Sequence, residues 1–536
     1  MNYYKAFKRT GYLMLTAAAL SFSSCTKDFE ELNKDPYGST DKDLEADFAI
    51  VAAQLQQAQR SIYLYQPVPT FQLQQNLLGD VFSGYMMPPT PFGGNINNTN
   101  YNLIDGWITA SWTTAYYNVM NPCIKAGLFS KEKFPETYAM AKILQVEGMH
   151  RISDIFGPII YTKYNQPNAQ GGIDFDSQKD AYYAFFADLK EAIGILNPIK
   201  DKPASVLFAK SDLVYNGKYA EWLKLANSLR LRLAIRISNI DAAKAKAEGE
   251  AALSDAGGLL ETPDDNFLVN IGSTTHPLNT ISASWGDTRM GAPVESIMGG
   301  YNDPRLDKYF LKATDPAVTG TFKGIRNGIN IDAKDRYLGY SALAPLESKL
   351  QLMTAAETWF LRAEAAVRGW TGAGSAQNNY NNGIRQSFEQ YKLGSKADAY
   401  INDATSKPKP YIDPKAITPG QNDVTGGSHL SAITIKWDDA ASQEAKIERI
   451  VTQKWIAVFP EGQEAWSEFR RTGYPKLFPV IINNSNNTIS TEDFIRRAVF
   501  PGNEYAVNGA AVEKAITTLS TPKDLGGTRL WWDVAH

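Results

Sequence analysis

The chain has 536 residues, 43% of them hydrophobic and 21% charged, a balance that excludes a disordered, collagenous or multi-spanning membrane protein. With 54 basic and 57 acidic residues its net charge is −3, so no basic excess exists to neutralise a phosphate backbone, and nucleic acid is excluded as a partner. Two cysteines, Cys25 and Cys123, and four histidines allow neither a disulfide framework nor a thiolate metal cluster.

In chain order, Lys5, Lys8 and Arg9 precede an apolar run from Tyr12 to Leu20. That run is far shorter than the ~20 residues of a spanning helix. Ser21, Phe22, Ser23 and Ser24 then lead into Cys25. Residues 1–24 read as a secretory signal. The cysteine resembles that of a bacterial lipobox, with Phe22 where leucine is usual, so its thiol is expected to take a diacylglycerol after cleavage just before it. The mature protein is then anchored to a membrane rather than crossing it. Residues 25–45, polar and charged around Pro36-Tyr37-Gly38, read as a flexible lipidated tether. Residues 46–536 remain as the folded body. Within it Cys123 is the one thiol, in a context that predicts a buried, inert side chain.

The body is predicted to be mainly α-helical. Phe48, Val51, Leu55 and Ala58 fall at helical spacing within residues 46–80, and Tyr138, Ala141, Leu144 and Met149 do so within 136–156. The stretch 181–196 is amphipathic, with Asp176 and Ser177 as cap candidates and Asn197-Pro198 as its end. In 219–237, Trp222, Leu225, Ala226, Leu229, Leu233 and Ile237 form one stripe, with Arg230, Arg232 and Arg236 outside it. Further helices are predicted over 352–369, 379–391, 445–459 and 461–469. Helix–turn–helix pairs with small residues such as Ala363, Ala365 and Ala366 at contact positions suit tetratricopeptide-like stacking. Long segments rich in Gly, Asn, Pro and aromatics separate these helices (82–112, 261–345, 395–435 and 475–510). Loops of that length in a compact domain are usually functional.

Several stretches carry a family resemblance: Cys25 to Asn33 after the lipobox, Tyr85-Met86 with Pro89 to Phe92, Trp222 to Ser238, and Tyr301 to Leu306. So do Leu361 to Ala365, Gln453 to Ala457, Glu464 to Trp466 with Arg470 to Pro475, and the ending Thr528 to Asp533. In these the chain resembles the SusD/RagB superfamily of outer-membrane nutrient-binding lipoproteins, in its SusD-like second subfamily. The resemblance implies a mainly α fold: four tetratricopeptide-like helix pairs as a scaffold, with long irregular loops and few short strands. It implies a lipid-anchored body exposed at the cell surface. It also implies a partner, a SusC-like TonB-dependent transporter, over which the protein sits as a lid passing its ligand inward.

Two segments are candidate ligand platforms. The first, 82–112, sets Tyr85, Phe92, Trp107 and Trp112 among Asn95, Asn97 and Asn98. Flat rings cover the C–H face of a sugar, and amides donate to and accept from its hydroxyl rim. Tyr85 and Phe92 are expected to be exposed because Pro88, Pro89 and Pro91 prevent regular structure there. Trp107 and Trp112 divide evenly between core and ligand. The second, 272–302, contributes His276, Trp285 and Arg289, the last a possible clasp for a carboxylate or paired hydroxyls. Trp437 is a weaker candidate in a turn, and Arg470, Arg471 and Asp533 read as structural, with Trp531-Trp532 docking the tail. No motif for a nucleophile, metal protease or nucleotide site occurs, so no catalytic residue, metal ligand or cofactor is expected. The favoured ligand is an oligosaccharide. An oligopeptide ligand and a surface glycoside hydrolase, which needs only two carboxylates, remain as alternatives.

Overall fold

The computed structural model describes residues 48–535, so the signal, Cys25 and the tether lie outside the described residues. Two compact units divide the chain, 1–50 and 51–536, and the architecture from Val51 onward is that of the second.

The described residues form thirteen α-helices of eight or more residues, in chain order α1 (Ala49–Ser61), α2 (Asp105–Ala115), α3 (Asn121–Ser130), α4 (Pro135–Phe156), α5 (Gln178–Leu196), α6 (Tyr219–Arg236), α7 (Ala242–Ser254), α8 (Ala292–Gly300), α9 (Ala355–Val367), α10 (Ala376–Gln390), α11 (Gln443–Ala457), α12 (Gly462–Thr472) and α13 (Gly502–Ile516). Four antiparallel-style pairs, α4/α5, α6/α7, α9/α10 and α11/α12, form the scaffold, and α5–α6, α6–α9 and α9–α11 contacts join one pair to the next. These are the four tetratricopeptide-like pairs that the resemblance implies.

Local chemistry sets the boundaries. Ser177, Ser375 and Ser442 each cap a helix by accepting from the amide three residues on, and Thr354 does the same for α9. Pro135 opens α4, where its missing N–H costs nothing. Gly473, at φ 73, ends α12 in the left-handed conformation that side chains resist. In the α9/α10 pair, Gly383 meets the Phe360 ring so closely that an added Cβ would lie 2.8 Å from it. Together with the fully buried Ala363 and Ala365 it sets the helix spacing.

Only two small sheets occur among the described residues. β1 (Met86–Met87) pairs antiparallel with β3 (Arg289–Met290), Met86 opposite Met290. β2 (Phe267–Asn270) pairs antiparallel with β4 (Lys349–Met353), with an irregularity at Phe267/Leu268. Leu352 and Met353, expected at the start of a helix, are thus extended as the end of β4; the helix waits for the Thr354 cap.

The scaffold's interior is ionic as well as apolar. α6 is buried on every side, and Arg232 and Arg236 are 1% and 0% exposed. Arg232 pairs with Glu357 on α9 and Glu147 on α4, and Arg236 with Glu464 and Glu468 on α12. Lys454 on α11 reaches Glu464 at 2.7 Å. Arg471 clasps Glu364 and Glu468, while Arg470 donates to the carbonyls of Asp154 and Arg496. Trp532 is fully buried and donates from its indole to Asp154, and Asp533 accepts from Arg529, so the tail is docked as expected. Cys123 is buried, and burial pushes its thiol pKa up.

Candidate functional site

The two candidate segments meet. β1 belongs to 82–112 and β3 to 272–302, and their pairing continues through the Gly291 amide to the Tyr85 carbonyl at 2.8 Å. Further out, the Thr90 hydroxyl donates to Asp287 at 2.5 Å. Lys334 donates to the same carboxylate at 2.7 Å and to the Trp285 carbonyl at 2.6 Å. Asn95, in the left-handed region at φ 68, donates to Asn330 and to the Ile331 carbonyl and accepts from the Ile331 amide. A third stretch, 330–338, therefore closes the same face. Long irregular loops leave backbone groups without a ladder, and side chains must satisfy them.

That requirement decides which candidate residues remain open. Tyr85, expected to be exposed, is 1% exposed. Its hydroxyl donates to the Trp455 carbonyl and its ring packs on Trp455 and Phe459. The prolines that break regular structure begin at Pro88, after β1 has already drawn Tyr85 inward. Asn97 accepts from the Thr99 amide and donates to the Phe92 carbonyl, and Asn98 bridges the Leu77 carbonyl and the Ile104 amide. Both amides are buried and act as loop braces, not as free ligand contacts. His276 is buried against Phe71, and its Nδ1 accepts from the Leu278 amide as a helix cap. Burial holds its imidazole down at about 3, so it stays neutral. Arg289 is 7% exposed and spends Nε and Nη1 on the carbonyls of Leu338, Ser282 and Thr288. Trp112 is core, and Trp437 is bound to Asp439 and packed on Tyr380.

Three rings stay partly open: Phe92, Trp107 and Trp285. Phe92 and Trp107 meet edge to face, with centroids 5.7 Å apart and planes at 90°. Ile96 beside them is 55% exposed. Asn95 is partly open too, but its amide is already engaged. The outcome is a braced, preformed loop face with partly open rings, Phe92 against Trp107 on one segment and Trp285 on the other. Such a surface can stack against a flat apolar ligand face without moving.

Sequence reasoning did not name a second feature, a cavity of about 380 Å³ behind α2. Its walls include Tyr116, Tyr164, Glu504 and Asn508. Two of its lining residues, Trp112 and Glu504, are hydrogen-bonded across 392 residues of chain, so no local motif announces it. The one local signal is the aromatic run Trp112, Tyr116, Tyr117.

The sequence profile of a family described as SusD-like, Susd and RagB outer membrane lipoprotein, matches residues 31–533. A chitin-binding SusD homolog from Flavobacterium johnsoniae superposes with a TM-score of 0.86 at 42% identity, over 91% of this chain and 99% of that one. A SusD homolog from Bacteroides vulgatus gives 0.83 at 36% identity, covering 92% and 99%. A SusD-like protein from Bacteroides thetaiotaomicron gives 0.84 at 34% identity, covering 90% and 99%. No curated protein matches the chain.

Proposed function

This chain belongs to the SusD-like family of outer-membrane lipoproteins, and we propose that it captures a glycan at the cell surface and delivers it, as a lid, to a SusC-like TonB-dependent transporter. Its class, a nutrient-binding protein of the outer membrane, follows from the family. The glycan, the lid role, the transporter and the lipid anchor at Cys25 are our reading. The observation that carries the glycan is the set of partly open rings, Phe92, Trp107 and Trp285, on two stitched loop segments. Sugar rings stack on such surfaces, and binding of this kind needs no chemical step. The relative from Flavobacterium johnsoniae, described as chitin-binding, makes oligomers of N-acetylglucosamine the first ligand to try.

The test is calorimetric titration of the purified protein in detergent against chitohexaose, maltoheptaose, xylohexaose and a tryptic peptide pool. Saturable heat with one of the oligosaccharides, lost in Trp107→Ala and Trp285→Ala, supports the reading. Heat with the peptides alone overturns it in favour of oligopeptide uptake.

A further inference from the structure

The cavity behind α2 has the construction of a ligand site in its own right. At about 380 Å³ it falls within the ~300–1,000 Å³ of small-molecule sites. Tyr116, which lines it, is the first residue of the π-helical turn Tyr116–Met120 that continues α2; such turns gather at functional positions. The rings of Tyr116 and Tyr164, both lining the cavity, lie nearly parallel and stacked, at 10° with centroids 6.2 Å apart. Trp112 leans on Tyr116 at 4.9 Å. At the mouth, Tyr117 and Val507 are 69% and 78% exposed.

The walls are fixed before any ligand arrives. The Tyr116 hydroxyl accepts from the Ile160 amide at 2.8 Å. Asn508 sits at an irregular turn of α13 (φ −140) and both donates to and accepts from the Ile173 backbone, at 2.8 and 3.1 Å. The polar groups, by contrast, are left open. The Glu504 carboxyl accepts from the Trp112 indole at 3.0 Å and makes no other hydrogen bond among the described residues. The hydroxyls of Tyr117 and Tyr164 and the amides of Asn165 and Asn503 have no partner there either.

Parallel aromatic rings beside unpaired hydroxyls, amides and one carboxyl oxygen match a pyranose, with its C–H face and its rim of hydroxyls. We propose that this cavity is a second carbohydrate subsite, in which a sugar unit stacks on Tyr116 and Tyr164 and hydrogen-bonds to Glu504 and Asn503. It is separate from the Trp107 patch. Nine residues at ~100° each place Tyr116 half a revolution from Trp107 around the helix. The site binds and does not cleave. Glycoside hydrolysis takes a pair of carboxylates, and Glu504 is the single carboxyl among the lining residues.

The inference rests on the glycan reading, and its test separates the two. Chitohexaose, maltoheptaose and xylohexaose are titrated into wild type, Trp285→Ala, Tyr164→Ala, Tyr117→Ala and the Tyr164→Ala/Trp285→Ala double variant, with melting curves to certify the fold. Tyr117 is exposed, so its variant carries little folding risk. Trp285→Ala is expected to keep a weak saturable component, which the double variant loses. Tyr117→Ala and Tyr164→Ala are each expected to weaken that component at least threefold. If both bind within twofold of their parents while wild type binds well, the subsite is wrong and the glycan reading stands. Silence of wild type with all three oligosaccharides removes the glycan reading, and the subsite with it.

Discussion

Arg232 on α6 and Glu357 on α9 form a two-point ion pair, Nε to Oε1 at 2.8 Å and Nη2 to Oε2 at 2.7 Å. Each side chain is at most 2% exposed. The Glu357 carboxylate also lies 3.4 Å from Lys454 of α11, and Arg232 lies 3.3 Å from Glu147 of α4. One buried network therefore touches all four helix pairs. Its stability depends on completeness. Removing one partner leaves a buried charge unanswered, at a cost of ~3–5 kcal/mol, whereas replacing both by apolar side chains is often close to neutral. Glu357→Leu should lower the unfolding free energy by about that amount in urea titrations. The Arg232→Met/Glu357→Leu pair should recover part of it. A single variant as stable as wild type would contradict this account of the scaffold.

These residues also show where the sequence was readable. The stripe Trp222, Leu225, Leu229, Leu233 marks α6 by spacing alone, but it leaves Arg232 and Arg236 off the predicted core. Their burial depends on carboxylates up to 232 residues away, which no window along the chain brings together. The candidate site divides in the same way. Aromatic and Asn density picked out two segments that the fold joins through β1 and β3. It did not tell Trp107, partly open, from Tyr85, fully buried, because their contrast comes from the β1–β3 pairing across the two segments. Asn97 and Asn98 look like ligand amides in sequence, yet the loop's own backbone claims them.

The distinction between Trp285 and Arg289 is testable. Trp285 is partly open and its indole makes no hydrogen bond among the described residues, while its carbonyl takes Lys334. Trp285→Ala should leave the melting curve nearly unchanged and reduce oligosaccharide affinity at least tenfold. Arg289→Ala strips donors from the carbonyls of Leu338, Ser282 and Thr288. Each of these acceptors then loses a donor, at ~1–3 kcal/mol for a buried group left unsatisfied. That variant should show its main effect as a lower melting temperature. Reversal of the two patterns would exchange their roles.

Cys25 is expected to carry the anchor, and it lies outside the described residues. Cys25→Ala should abolish incorporation of labelled palmitate and move the protein from the outer-membrane fraction to the soluble one. Retention of label would place the lipid elsewhere. A single acyl chain binds membranes only weakly, so the diacylglycerol expected at this cysteine is what makes anchoring stable.

Asp80 predicts how stability responds to pH. It is fully buried, and accepts from Gln75 at 2.8 Å and Asn76 at 3.3 Å. Loss of water around the carboxylate outweighs those bonds and lifts its pKa from 3.8 to about 8. Between those values the folded protein holds a proton that the unfolded chain has released. The unfolded state thus binds fewer protons, and stability falls as pH rises. The contribution of Asp80 is complete below pH 3.8 and is lost progressively up to about pH 8, on the order of a few kcal/mol in all. Glu464, held down at about 2 by Arg236, Lys454 and Arg232 against its own burial, acts oppositely and only in acid, and buried Glu461, which is shifted upward like Asp80, is common to wild type and variant, so the comparison of the two isolates Asp80. Asp80→Asn keeps the carbonyl acceptor and the shape but has no proton to lose. Its unfolding free energy, measured in urea from pH 5 to pH 8, should fall less steeply than that of wild type, and the two curves should diverge most at pH 8. Parallel curves over this range would mean that Asp80 titrates in the fold as it does in water.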